Sequence, residues 1–264
     1  MSERTKYAPG EFCWVELVAP DVDAAARFYG DLLGWERERY EPDPEGYWYF
    51  RRDGKLVAGL ETFRMEGQVP AWLGYVSVDD VTATAGKVGD AGGTVLAEPL
   101  DTPGEAGSMA VCQDTEGAVF GLWQPGELKG VQLVNEPGCW TWNNLMTRDV
   151  DAAMDFYGRV FGWTAAQPGG APDFIWNWQA DGQRWPEGLA GLMRMGVDMP
   201  ADMPAHWQVY LMVESTDAAL EKNKAAGGSL IYGPVDTPIA RMAVAFDPQG
   251  ANVSLLESRF PEPR

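Results

Sequence analysis

One histidine, three cysteines, and only 20 lysines and arginines against 39 acidic residues are the shortages that shape this 264-residue chain. The resulting formal net charge of −19 excludes a nucleic-acid surface, which needs Lys and Arg to neutralise phosphates. It suits solubility, or the attraction of a cationic small molecule. Cys13, Cys112 and Cys139 form no CxxC pair and do not recur at equivalent places, so neither a disulfide framework nor a zinc site is expected, and a reduced, cytoplasmic setting is. No apolar run approaches the ~20 residues that cross a bilayer, and the opening residues MSERTKYAPGEF lack the apolar stretch of a secretion signal. Neither nucleic acid nor membrane is an expected partner. Phosphate-cradling loops, a dinucleotide fingerprint and a nucleophile elbow are absent as well, because the Gly-rich pieces lack the strand-to-helix context such motifs need.

Self-similarity and tryptophan are present in strength. Residues 14–35, WVELVAPDVDAAARFYGDLLGW, match residues 142–163, WNNLMTRDVDAAMDFYGRVFGW, position for position. EPLDTP at 98–103 matches GPVDTP at 233–238, DTEGAVFGLWQ at 114–124 matches DPQGANVSLLE at 247–257, and Ala58-Gly59-Leu60 matches Ala190-Gly191-Leu192. The changing offset places a short insertion in the second copy around Gln183–Glu187. The order of matches identifies a duplication. A Pro- and Gly-rich stretch at 125–138 reads as the junction, giving a first domain over 1–126 and a second over 137–264.

Within the first copy, Phe12–Val18 reads as a strand and Asp21 or Asp23 caps a helix that ends at Gly34. Tyr47–Phe50 and Leu56–Phe63 flank the turn Arg52-Asp53-Gly54-Lys55, a hairpin signal. Trp72–Val78, a helix over Val81–Ala91, and strands near Thr94–Ala97, Gly107–Gln113 and Ala118–Trp123 follow. The expected class is α+β: a tandem duplication, each half being two βαβββ modules that form curved, open-barrel-like sheets with the helices outside.

That order, with the phrase D-x-D-x-A-x-x-F-Y-x-x-x-x-G-W after the first strand and the motifs V-x-V-D-D-V at 76–81, A-G-G at 91–93 and D-x-E-G-A at 114–118, resembles the vicinal-oxygen-chelate superfamily. This group includes glyoxalase I, bleomycin-resistance proteins, fosfomycin-resistance enzymes and extradiol dioxygenases. The resemblance spans nearly the whole chain, twice, and is nearest to two-domain actinobacterial members. It implies that metal-dependent relatives carry His, Gln or Glu on inward strand faces. Here the first-strand position falls on Trp14 and Trp142, the fifth-strand position on Leu73 and Gln208, and the last-strand glutamate on Gly121 and Ser254. The fourth-strand carboxylate falls on Glu61 as a candidate, with Met193 as its counterpart. Indole, isobutyl and a bare glycine donate nothing to a cation, so no metal and no cofactor is expected.

Twelve tryptophans offer broad apolar area and stacking faces instead. Trp14, Trp72, Trp142 and Trp178 are the rings expected to face a ligand, with Glu16, Asn144, His206 and Gln208 as polar partners. Glu16 is the one candidate catalytic group, an acid whose pKa would rise on burial. Trp35 and Trp163, each after a helix-ending glycine, are expected in the core. The expected function is metal-independent binding of an aromatic, amphipathic or cationic small molecule, in antibiotic or natural-product resistance, sequestration or delivery. The alternative is an enzyme of the same fold: a metal-free tailoring, lyase or isomerase activity on a polyketide-like substrate, or a glyoxalase-type activity on methylglyoxal adducts. The chain is expected to be a monomeric pseudo-dimer or a homodimer.

Overall fold

The repeated phrase is a helix written from cap to cap. In α1 (Val22–Leu33), Asp21 is the N-cap and its carboxylate accepts from the backbone N–H groups of Asp23 and Ala24, satisfying donors that a helix end leaves open. Gly34 closes the helix at φ 74°, with its N–H returned to Gly30 O, a conformation that costs glycine little. The copy, α3 (Val150–Phe161), runs from Asp149 to Gly162 at φ 72° in the same way.

The chain is seen here as a computed structural model described over residues 2–43, 45–64, 67–169, 175–180, 189–197 and 199–259. The proposed insertion at Gln183–Glu187 lies outside the described residues. After a short strand β1 (Ser2–Glu3), the first half runs β2 (Phe12–Val18), α1, β3 (Glu36–Tyr40), β4 (Tyr47–Arg52) and β5 (Lys55–Glu61), then β6 (Ala71–Ser77), α2 (Val81–Asp90), β7 (Thr94–Asp101), β8 (Gly107–Gln113) and β9 (Val119–Pro125). β10 (Leu133–Val134) pairs back with β1. The second half repeats the order as β11 (Trp140–Thr147), α3, β12 (Thr164–Ala166), β13 (Ile175–Gln179), β14 (Ala190–Arg194), β15 (His206–Met212), α4 (Thr216–Ala225), β16 (Ser229–Asp236), β17 (Ala240–Phe246) and β18 (Asn252–Ser258).

Two eight-stranded mixed sheets result, ordered β3-β4-β5-β2-β6-β9-β8-β7 and β12-β13-β14-β11-β15-β18-β17-β16. The fold is the expected α+β tandem, with βαβββ modules side by side in each sheet. One strand, β3, has no hydrophobic signature: its residues Glu36-Arg37-Glu38-Arg39-Tyr40 are nearly all exposed, as suits a charged sheet edge that resists pairing with other chains. Among the described residues no helix is long and apolar enough to cross a membrane.

Each sheet has two faces, and the helices cover one. There the two halves interlock reciprocally. Trp72 Nε1 donates to Tyr29 Oη (2.9 Å), which donates to Asp247 Oδ2 of the other half (3.0 Å). Trp207 Nε1 donates to Tyr157 Oη (2.7 Å), which donates to Asp114 Oδ2 of the first half (3.0 Å). Trp35 Nε1 reaches Gly138 O and Trp163 Nε1 reaches Gly10 O, again across the junction. Each aspartate is held in its turn by two backbone N–H groups, those of Glu116 and Ala118 for Asp114 and those of Gln249 and Ala251 for Asp247. Aromatic rings fill the space between, Tyr157 alone meeting Phe120, Phe156, Phe161, Trp163, Trp178 and Trp207. The three cysteines are free and buried.

Candidate functional site

The other face of each sheet is concave, and the strand register says which side chains enter it. Residues paired across neighbouring strands share a face, and faces alternate along a strand. In the first half Tyr49, Gly59, Glu16 and Leu73 form one row across β4, β5, β2 and β6. Trp14, Tyr75 and Gly121 form the next across β2, β6 and β9. Tyr47 stands opposite Glu61 one step along. These residues enclose a cavity of about 1110 Å³ whose walls include Trp14, Glu16, Tyr47, Tyr75, Met109 and Trp123, and which reaches His206, Gln208 and Asn252 of the second half. Small-molecule pockets typically measure roughly 300–1,000 Å³.

The floor of this cup is polar at one place. Trp14 Nε1 donates to Tyr47 Oη (3.0 Å), and Tyr47 Oη donates to Glu16 Oε2 (2.7 Å). Tyr75 Oη lies 2.6 Å from Glu16 Oε1. An indole N–H can only donate, so it sets the direction of the chain: Tyr47 accepts from Trp14 and must spend its own hydrogen on Glu16. Burial pushes the Glu16 carboxyl up to about 8, helped by the charge of Glu61 and opposed by the Tyr75 and Tyr47 hydroxyls and by Arg64. Burial and the adjacent Glu16 likewise raise both tyrosines well above their ordinary range. At neutral pH Glu16 therefore holds a proton. Glu16 and Tyr75 then share one contact and two hydrogens, which leaves one O–H to point at a ligand. Ionised, Glu16 takes both tyrosine hydrogens and the floor offers no donor.

At the mouth, Arg64 pairs with Asp43 (2.8 Å), Glu45 and Glu61 (2.5 Å). One guanidinium among three carboxylates leaves the rim acidic, which favours approach of a cationic or neutral molecule over an anion.

Two glycines make the floor possible. A side chain at Gly59 would overlap the Tyr47 hydroxyl, and one at Gly121 would overlap the Tyr75 ring. Gly59→Ala is expected to drive Tyr47 off Glu16 and lower ligand affinity at least tenfold, the loss of a hydrogen bond to a buried polar group being worth roughly 1–3 kcal/mol. Titration of tryptophan fluorescence in the variant measures this, and unchanged affinity would remove Tyr47 from the site.

The second cup differs in chemistry. Its rows are Asn177, Gly191, Asn144 and Gln208, then Trp142, Tyr210 and Ser254. Asn144, Asn177 and Gln208 are all buried. His206 shares their face, its Nδ1 2.9 Å from Pro204 O, and burial lowers its pKa.

Of the residues expected to face a ligand, the structure brings Trp14 and Glu16 together in the first cup and Trp142, Asn144, His206 and Gln208 in the second. Trp178 is a correction: fully buried on the helix face, it packs at a tilt against Tyr157 and Trp163. Trp72 borders the cavity, but its indole N–H turns to the helix face and is used by Tyr29. Period two says which residues share a face and not which face is concave. Tyr47, Tyr75 and Arg64 also line this cavity and were not among the residues expected to face a ligand. Tyr75 lies two residues beyond Leu73, itself at an inward position of the resembled family, and that was the available signal.

The donor set does not fit a bound cation. In the first half the corresponding places hold Trp14, Leu73 and Gly121, and the Tyr75 ring fills the space that a side chain at Gly121 would need. Glu61, the remaining candidate, is engaged by Arg64. Among the described residues no group of three or more His, Cys, Asp or Glu is placed to hold a metal.

Comparison with known proteins agrees with this architecture. The profile of the Glyoxalase/Bleomycin resistance protein/Dioxygenase superfamily matches residues 12–122 and again 140–255. The Mycobacterium tuberculosis protein named "Putative glyoxylase CFP32" is 38% identical over 267 residues, covering 97% of this chain and 98% of that protein. The "Anthracycline biosynthesis protein DnrV" of Streptomyces peucetius is 34% identical over 272 residues, covering 97% and 96%. Among solved structures, the 2,3-dioxygenase LapB from Pseudomonas sp. KL28 superposes with a TM-score of 0.62 at 13% identity, over 98% of this chain and 97% of its own. The Mn(II)-bound glyoxalase from Novosphingobium aromaticivorans gives 0.60 at 18%, over 94% and 82%. At those identities the structures share the fold alone.

Proposed function

We propose, from the premise that this chain belongs to the Glyoxalase/Bleomycin resistance protein/Dioxygenase superfamily, that it binds an aromatic or amphipathic small molecule in the first cup without a metal ion. The observation that carries this reading is the Trp14–Tyr47–Glu16–Tyr75 chain on the floor of a largely apolar cavity. Tryptophan and tyrosine rings supply contact area and stacking faces at low entropic cost, while the spare O–H of the Glu16–Tyr75 pair suits a carbonyl oxygen on the ligand. A fused-ring hydroxyquinone has both features, and the anthracycline named for the Streptomyces relative makes that class a sensible probe.

A second reading is supported by the same carboxyl. A group poised near neutral pH is suited to general acid–base work, and the relatives' names include a glyoxylase and a biosynthetic protein. In that case Glu16 exchanges a proton with a carbonyl-bearing ring substrate, and the role is a tailoring, lyase or isomerase step. Titrating 1,8-dihydroxyanthraquinone into the protein separates the two. Binding predicts saturable quenching of tryptophan fluorescence, recovery of the probe unchanged, and about tenfold weaker affinity in Tyr75→Phe. Chemical conversion of the probe that vanishes in Glu16→Gln would replace binding with catalysis. No saturable quenching at all would defeat both readings for this ligand class.

A further inference from the structure

The second cup is the mirror of the first in topology and its opposite in chemistry. Where the first half has Glu16, Tyr49, Leu73 and Val119, the second has Asn144, Asn177, Gln208 and Asn252, so four carboxamides stand at the corresponding strand positions. The register puts them on one face. Asn177 and Asn144 both oppose Gly191, Gln208 opposes Asn144, and Asn252 lies two residues before Ser254, which opposes Tyr210 in the row of Trp142. Gly191 marks that face as the cup: a side chain there would overlap Asn144 Oδ1 and come within 3.0 Å of Trp142 Nε1.

Two of these four amides keep a buried atom without a hydrogen-bond partner. Asn177 is 6% exposed, and its Nδ2 has no hydrogen-bond partner. Asn252 Oδ1 is buried and unpartnered too, while Asn252 and Gln208 both line the far side of the cavity described above. Asn144 Nδ2 has only the thioether of Met146 at 3.2 Å, a weak acceptor. A buried amide without a partner costs free energy that a matching ligand would recover. The row holds no ionisable group; on the same face His206 is held towards its neutral form by burial and the Tyr210 hydroxyl is pushed up to about 12 by burial. A charged ligand would meet the desolvation cost with no counter-charge.

We propose that the second cup is a separate binding site for an uncharged ligand that carries an N–H donor beside a carbonyl acceptor, as a lactam or cyclic imide does. The two edges of such a group match the donor and acceptor of a carboxamide, and Trp142 supplies a ring against which it lies. Gln208 and Asn252 open onto the same cavity as the first cup, but none of the four amides belongs to the Glu16 chain. Because no group in the row titrates near neutrality, its affinity is independent of pH where that of the first cup is not.

The test is a titration of 15N-labelled protein with 2-pyridone, with benzoate as the anionic comparison, following the side-chain amide and indole signals. The amide signals are assigned by their loss in Asn177→Leu and in Asn252→Val, and the indole signal of Trp142 by its loss in Trp142→Phe. The expected result is saturable shifts of the Asn177, Asn252 and Trp142 signals with 2-pyridone and none with benzoate. Affinity should fall about tenfold in Asn177→Leu and in Asn252→Val, and stay unchanged in Tyr75→Phe. Asn252→Val installs the residue that the first half already carries at that place, so it keeps the test open if Asn177→Leu fails to fold. Absence of saturable shifts, equal shifts with benzoate, or loss of the shifts in Tyr75→Phe would each overturn the proposal, the last by moving the probe to the first cup.

Discussion

Glu16→Gln should flatten the dependence of stability on pH between about pH 5 and 8. In the unfolded chain a glutamate ionises near ~4.3, whereas in the fold Glu16 is pushed up to about 8. Between those values the native state keeps a proton that the unfolded state has lost. Stability is then fullest below the unfolded value and falls as pH rises towards the folded one, at up to about 1.4 kcal/mol per pH unit for one proton. Across the window this sums to several kcal/mol, much of a typical domain's ~5–15 kcal/mol. Glutamine has no such proton and keeps the shape of the carboxyl, so its carbonyl still accepts from Tyr47. Urea unfolding at about pH 5.5, 7 and 8.5 reads the effect. Equal slopes in the two proteins would mean that Glu16 is ionised in the fold, and the argument for a spare O–H on the floor would fail with it. Glu61 is raised in the same direction by burial, so the variant is expected to lose only part of the total slope.

Ligand affinity follows the same proton. Below about pH 8 the Glu16–Tyr75 pair donates to a carbonyl, and above it both tyrosines turn to the carboxylate. A carbonyl ligand should therefore bind more weakly at high pH in the native protein and without that dependence in Glu16→Gln.

The largest single loss of stability is expected from Tyr157→Ala, about 3–5 kcal/mol. The ring is fully buried in an aromatic cluster built by both halves, and its hydroxyl joins Trp207 of its own half to Asp114 of the other. Removing the ring opens a cavity and strips both partners at once. Tyr157→Phe separates the two contributions. It keeps the ring but leaves the Trp207 N–H and one Asp114 oxygen without a partner, at a cost of about 1–3 kcal/mol. Tyr29→Phe should cost a similar amount through Trp72 and Asp247. The two locks share no residue, so the losses should add in the double variant. Denaturant midpoints for the four proteins measure this. A Tyr157→Phe variant as stable as the parent would show that the hydroxyl network contributes nothing beyond the packing of the rings.

Much of the fold was legible because its signals are local. The helices announce themselves through Asp21 and Asp149 at one end and Gly34 and Gly162 at the other, and Phe12–Val18 and Gly107–Gln113 were bounded correctly by their apolar content. Strand Glu36–Tyr40 escaped because an exposed, charged edge strand carries no hydrophobic alternation. Of the residues on the inner faces of the two sheets, Trp14, Glu16, Trp142, Asn144 and Gln208 were reached from the repeat and the family positions. Tyr47 and Tyr75 were not joined to Glu16, because their hydroxyls meet it only through pairing between β2, β5, β6 and β4.

The amino-acid sequence by itself determined that one unit is written twice, that each unit is two βαβββ modules, and that Trp14, Leu73 and Gly121 stand at three of the first half's positions where the resembled family carries metal ligands. Only the tertiary structure decided which tryptophans turn their polar edge to the cavity and which lock the halves together. Trp14 and Trp72 differ in role because β2 and β6 pair with Trp14 opposite Tyr75 and Trp72 opposite Leu17. Alternation along a strand is a local property and appears in composition. Which face becomes the hollow, and which is pressed against a helix, is fixed by how sheets curve and by what the other half of the chain brings to them.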